Sequence, residues 1–431
     1  MKKYATWVLL AAAVSPLVVN ANLLSPYIDE KVFFLRFLAC VVMTLLTIAL
    51  LSFRKDADEI VSSVKDMLRD PIFWAVSANM LLLVLSTIFA FDRSIAFFGE
   101  PIRGEGFLTL FTIYLLYVSV RLLFRKKEWN TFFLISLACT VILFIIEIKQ
   151  ALLGMIRPSS LFGNPIFLSG YYLFSLFAGY QVWQWGREIK NNFYAFFGIT
   201  AIVLAGVGIL VTKTRGTILS VFVGMVALAI IAALFGRRES FGRFSVRKIG
   251  IVICAVLISF SVLFGLTRHG AFWQHVPGLN RVAAVTSTDA TTLSRLEYTK
   301  ASVAGFFGDR NPKTLLLGWG WDNFLFAWIA HYDPSFFLYD QGSADRAHNK
   351  LVDVLVMSGL LGLISYLAIW FVFIQKLWRS ARVGIMALAG VIFWAAAYFV
   401  NNLFIFDISV TLLTFYLLLA FISTTSNEKT N

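Results

Sequence analysis

Residues 343–366, SADRAHNKLVDVLVMSGLLGLISY, join a long polar segment to an apolar run of membrane length, with one histidine at the seam. The run, placed near 349–374, is too long and too apolar for the surface helix of a soluble domain and matches the thickness of a bilayer. Asp345 is the expected N-cap, which puts His348 in the first turn of the helix. There the positive end of the helix dipole disfavours a second positive charge, so His348 is expected to stay neutral near pH 7. A neutral imidazole at a membrane surface, facing a watery loop, suits a general base. The plainer reading makes His348 a polar cap residue at an interface.

Composition extends this reading to the whole chain. Of 431 residues 59% are hydrophobic and only 14% charged, with a mean hydropathy of +0.79; that balance belongs to polytopic membrane proteins. The 43 phenylalanines and 12 tryptophans fit lipid-facing surfaces and interfacial belts. Cys40, Cys139 and Cys254 all fall inside apolar runs, so no disulfide framework is implied. In a soluble protein a net charge of +13 would suggest nucleic acid; here topology explains it.

About twelve spans of roughly 17–27 residues are expected, near 5–23, 32–52, 72–91, 107–124, 130–148, 166–185, 193–211, 216–235, 249–266, 349–374, 384–401 and 408–423. With a cytoplasmic N-terminus, the inner connections collect Lys2, Lys3, Arg54, Lys55, Lys65, Arg69, Arg121 and Arg125 to Lys127. They go on to hold Arg187, Lys190, Arg237, Arg238, Arg243, Arg247, Lys248, Lys376, Arg379, Arg382 and Lys429. The positive-inside rule thus accounts for most of the charge, and no nucleic-acid partner is implied. The organisation is therefore nine spans within 1–266, a large outer loop at 267–347, and three spans with a short inner tail over 348–431. Lys2 and Lys3 before an apolar run also fit a cleaved signal peptide; a retained helix is the expectation. Near 56–70, Ile60, Val61, Val64, Met67 and Leu68 recur at helical spacing among charges, an amphipathic helix on the inner membrane face. Asp56-Ala57-Asp58 has a metal-holding form, but its inner location makes ordinary solvated charges the better reading.

The outer connections carry the chemistry. Phe98-Gly99-Glu100-Pro101-Ile102-Arg103-Gly104-Glu105-Gly106 is glycine-rich and holds an arginine, and the stretch from Arg157 to Asn164-Pro165 is turn-forming. Thr212-Lys213-Thr214-Arg215-Gly216 places two cations in a tight outer hairpin, against the positive-inside trend. Snorkelling to lipid phosphates is the bland account of Arg103 and Arg215. The long loop holds His269, His275 and His331, and an amphipathic helix from Leu293 to Phe307 carrying Arg295. Gly318-Trp319-Gly320-Trp321-Asp322-Asn323-Phe324 follows. Trp319, Trp321, Trp328, Tyr332 and Tyr339 suit either sugar stacking or the headgroup layer. The histidines lack zinc-ligand spacing, and neither a Walker loop nor a nucleophile elbow is present. One chemistry unites these parts. Arg215, Arg295 and Arg103 are expected to converge on a diphosphate, with His348 expected to deprotonate a hydroxyl that attacks the carbon bonded to it. The arginines take up the leaving group's charge, so neither a metal nor another cofactor is required.

The chain resembles the O-antigen ligase family, membrane glycosyltransferases that include polymerases and bacterial protein O-oligosaccharyltransferases. The resemblance, over roughly 75–420, rests on His348-Asn349 with Leu351, Gly359, Gly362 and Tyr366, on Thr214-Arg215-Gly216, and on Arg295 ahead of Gly318-x-Gly320. Asn164-Pro165, Phe98-Gly99 with Arg103 and Gly106, and Asn402-Leu403-Phe404-Ile405-Phe406-Asp407 complete it. It implies that His348 is the essential histidine and Arg215 and Arg295 the essential arginines, with Lys213, Asn349 and Asn164 in support. It further implies an all-α, GT-C-like integral membrane fold capped by the long extracytoplasmic loop and its short helices. The implied location is the bacterial inner membrane, with the active site facing the periplasm. The implied partners are an undecaprenyl-diphosphate-linked glycan donor, a lipid A-core or glycan acceptor, and membrane lipids. A polymerase, a protein O-oligosaccharyltransferase and a lipid-linked glycan flippase remain as alternatives; the near absence of charge from span centres disfavours the flippase.

Overall fold

The computed structural model describes residues 1–101, 103–286, 289–338, 342, 345–381 and 384–425; Tyr339, Arg382 and Lys429 lie outside the described residues. Among the described residues the fold is all-α apart from a two-residue antiparallel pair, β1 (Ser240–Phe241) and β2 (Phe244–Ser245). Two compact units form. The first comprises residues 1–128, 286–373 and 402–431, the second residues 129–285 and 374–401.

In chain order the first unit begins with α1 (Lys2–Leu10), α2 (Asp29–Ser52), α3 (Arg54–Leu68), α4 (Pro71–Ile88), α5 (Arg93–Phe98) and α6 (Phe107–Leu123). The chain then passes through α7 (Lys126–Leu152) to α8 (Pro165–Glu188), α9 (Asn192–Val211), α10 (Arg215–Phe235), α11 (Val246–Thr267), α12 (Ala271–His275) and α13 (Leu279–Ala283). Back in the first unit come α14 (Ala290–Gly308), α15 (Pro312–Leu317) and α16 (Phe324–Ile329), before α17 (Lys350–Ala381), α18 (Ala389–Asn401) and α19 (Ser409–Thr425). Among the described residues seven helices, α2, α4, α7, α9, the stretch from Arg215, α11 and α17, are long and apolar enough to cross a membrane. Phe107–Leu123, Met386–Asn401 and Ser409–Thr424 are shorter apolar helices. The expected first span is broken: α1 ends at Leu10 and a 3-10 stretch carries Ala11 to Leu17, where Pro16 lacks the N–H an α-helix needs.

Helix starts follow side-chain chemistry. The carboxylate of Asp70 accepts the Ile72 N–H at 3.1 Å, the Asn164 amide oxygen that of Ile166 at 3.0 Å, and the Asn311 oxygen that of Lys313 at 3.0 Å. Each precedes a proline that opens its helix, where a missing N–H costs nothing. In the second unit helices approach closely because glycine removes the side chain between them. A Cβ on Gly198 would lie 2.6 Å from the Gly179 carbonyl oxygen, and one on Gly250 would lie 2.7 Å from that of Ala229.

One break positions the rest of the first unit. Gly359 interrupts α17 with φ 71° and ψ −172°, a backbone glycine adopts readily. The carbonyls of Val356 and Met357 therefore lose the helical N–H groups four residues on. Trp319 N–H donates to Val356 at 3.0 Å and Gly320 N–H to Met357 at 2.9 Å, while the Ser86 hydroxyl also donates to Met357 at 2.9 Å. The Gly318–Gly320 segment is thereby fixed against α17, and α4 is tied to the same Met357 carbonyl.

Candidate active site

His348 lies just ahead of α17, in a left-handed backbone conformation (φ 54°). The N-cap is Asn349, whose amide oxygen accepts the N–H groups of Leu351 (3.0 Å) and Val352 (3.4 Å). This corrects the expected cap at Asp345 and the placement of His348 in the first turn. The reason is visible one turn on: Asp353 accepts the Ala347 N–H at 2.7 Å, which pulls residues 345–348 into a turn rather than a helix. The dipole argument for a neutral imidazole therefore loses its geometric basis.

The imidazole sits between two aromatic rings. Tyr298 of α14 stacks on it at 5.8 Å and 24°, and Phe406 meets it at 5.2 Å and 53°. Arg295 is one turn before Tyr298 on the same helix, half-buried, so the two share one face of α14. Phe406 is also a platform for charge: the Arg103 guanidinium lies 4.4 Å over its ring and that of Arg346 5.9 Å. Arg103 forms an ion pair with Asp345. An arginine expected to hold diphosphate is thus committed to the turn that carries His348.

Beneath the turn is a buried charge network. Arg346 pairs with Asp322 and lies 3.9 Å from Glu105, and Lys350 pairs with Asp407 at 3.2 Å. Glu105 also accepts the Ser409 N–H at 2.9 Å, and its backbone carbonyl accepts the Trp321 indole N–H at 3.0 Å. A small cavity of about 20 Å³ is lined by Glu105, Arg346, Lys350, Asp353, Asp407 and Ser409. Burial pushes the Glu105 carboxyl up to about 7, against the pull of Arg346 and Arg103. Sequence reasoning passed over Arg346 and Lys350, although both flank His348 at a spacing of two. It also did not single out Glu105, Asp353 or Tyr298. Charges otherwise scarce in the chain, within a few residues of the glycine-rich and histidine turns, are the available signal.

The remaining expected site residues belong to the second unit. Arg215 is the first residue of α10. Lys213 before it has φ 53°, and its carbonyl accepts from Arg281 at 3.1 Å. Arg157 donates to the Thr212 carbonyl at 3.4 Å, and the Thr214 hydroxyl reaches Pro165, next to Asn164, at 3.4 Å. Thr217 donates to the Asn401 amide oxygen at 2.8 Å and shares a 2.9 Å hydrogen bond with Ser169. Arg157, Lys213, Arg215 and Arg281 thus crowd one hairpin, an arrangement suited to an anion. The same unit contains an apolar cavity of about 820 Å³ lined by residues such as Ile202, Leu210, Phe222, Phe260 and Phe393. Among the described residues no group of three or more His, Cys, Asp and Glu is placed to hold a metal ion.

Residues 200–367 match the model of a protein family described as O-antigen ligase. That stretch contains Arg215, Arg295 and His348. No curated protein matches the chain.

Proposed function

Taking the O-antigen ligase family assignment as the premise, we propose that this protein transfers a glycan from undecaprenyl diphosphate to an acceptor hydroxyl at the periplasmic face of the bacterial inner membrane. A lipid A-core sugar is the proposed acceptor. The family and the apolar helices support a multi-pass, glycosyltransferase-type membrane enzyme. The observation that carries the finer reading is His348, set between Tyr298 and Phe406 at the mouth of a charged turn.

In this mechanism the imidazole of His348 removes the proton of the acceptor hydroxyl. The oxygen bonds to the anomeric carbon as the bond from that carbon to the diphosphate breaks, and undecaprenyl diphosphate leaves. Arg215 and Arg295 bind the diphosphate and take up the charge that grows on it. Arg103 holds the histidine turn through Asp345, and Lys213, Asn164 and Asn349 support the two turns. The apolar cavity offers a lining suited to part of the polyprenyl tail. No metal has a role, because guanidinium groups supply the charge stabilisation. With a second carrier-linked glycan as acceptor the same steps would make a polymerase, and an acceptor panel distinguishes the two.

The test compares variants per correctly inserted molecule, in detergent or nanodiscs. His348→Ala retains donor binding and loses transfer by roughly 10²–10⁴-fold. Arg215→Lys and Arg295→Lys insert normally and transfer poorly, because lysine keeps the charge but not the bidentate fork. Turnover of His348→Ala within about threefold of the parent would remove the general-base assignment.

A further inference from the structure

Asn401 and Asn402 are adjacent amides with opposite fates. Asn401 accepts from the Thr217 hydroxyl at 2.8 Å. Asn402 is 3% exposed, yet neither its Nδ2 nor its Oδ1 has a hydrogen-bond partner among the described residues. A buried primary amide offers two donors and an acceptor, and leaving all of them unmet is costly. The backbone places this residue at the histidine turn: the Asn402 carbonyl accepts the Lys350 N–H at 2.7 Å, two residues after His348. The segment that follows continues along the turn, with Phe406 against the imidazole and Asp407 on Lys350.

We propose that the Asn402 amide is a recognition group for the acceptor, binding a carbohydrate hydroxyl beside His348. A phosphate oxygen only accepts, so it would satisfy Nδ2 and leave Oδ1 bare. A sugar hydroxyl both donates and accepts, and two neighbouring hydroxyls engage the two ends of one amide. Arg215 and Arg295 are the groups proposed for the diphosphate; the neutral amide serves the neutral partner. This deepens the glycosyltransferase reading and rests on it for the identity of the acceptor.

The experiment uses the full chain in nanodiscs and two probes. One is core oligosaccharide released from lipopolysaccharide by mild acid, followed by saturation-transfer NMR; the other is undecaprenyl diphosphate, followed by intrinsic tryptophan fluorescence. Asn402→Leu, of similar volume and without polar atoms, is expected to unfold at the parent's temperature or above it. It binds undecaprenyl diphosphate as the parent does and binds the oligosaccharide at least about tenfold more weakly, the cost of one well-formed neutral hydrogen-bonding group. Asn402→Asp, which keeps acceptors but loses the donors, gives a smaller loss and serves if the leucine variant fails to fold. Oligosaccharide binding within about twofold of the parent in a folded variant overturns the proposal and makes the amide a holder of water only. A parent that binds undecaprenyl diphosphate but not the oligosaccharide overturns it as well. Binding that depends on Asn402 in a protein with no transferase activity would instead leave this site standing and remove the reading it rests on.

Discussion

Glu105 shows how a single residue couples the site to pH. It lies in the glycine-rich turn before α6, faces Arg346, Arg103, Asp322 and Lys350, and shares its small cavity with Asp353 and Asp407. Because burial raises its folded pKa from the ordinary 4.5 to about 7, the folded protein keeps a proton that the unfolded chain has already released. Its stabilising contribution is therefore complete below about 4.5 and is lost as pH rises through about 7. Thermal unfolding in detergent is expected to shift to lower temperature over that window. Glu105→Gln, which still accepts the Ser409 N–H, flattens this component and is at least as stable as the parent at pH 8; an unchanged slope in the variant would assign it elsewhere. His348, Arg103 and Arg295 stand out as candidates in the sequence because polar residues flanking apolar spans are few. The sequence hid Arg346, Lys350 and Tyr298, because ion pairs and ring stacking between residues tens to hundreds of positions apart leave no periodic mark on the chain.

At the scale of the element, α17 was legible as a membrane-length helix but not as a broken one. Gly359 reads like any small residue in an apolar helix, where glycine is tolerated. Only the packing exposes its role: a Cβ there would fall 2.4 Å from the Leu316 carbonyl, and one on Gly318 2.4 Å from that of Met357. Gly359→Ala is expected to destabilise the first unit by about 1–3 kcal/mol from the left-handed backbone alone, with the overlap adding to it. Thermal unfolding of the purified variant measures this, and a loss below about 0.5 kcal/mol would mean the helix straightens at no cost. The N-cap of α17 lies four residues beyond the expected one, at Asn349 rather than Asp345. Asp345 and Asn349 are both competent caps by residue type; the Ala347 N–H on Asp353, with Asp345 held by Arg103, decides between them. α14, with Arg295 near its start, was placed within a few residues because its polar and apolar positions alternate at helical period.

For the whole molecule, composition was the strongest signal and the count of crossings the weakest. Apolar length locates a helix, yet α1 and its 3-10 extension show that a proline inside the run cuts it short. Sidedness rests on charge. A reporter placed within 237–248 is expected to be cytoplasmic, and one near 310 outside. Both on one side would mean that Arg215 and His348 do not open to the same compartment, and the proposed mechanism would fail. The clasp of Trp319 and Gly320 on the carbonyls of Val356 and Met357 has a further meaning for how the protein is made. Ribosomes deliver the two donors before the two acceptors, so the Gly318–Gly320 segment is already made when α17 leaves the ribosome. The helix does not have to carry bare carbonyls into lipid and search for partners later. In chain order the clasp therefore joins an early-made strap to a late-made helix.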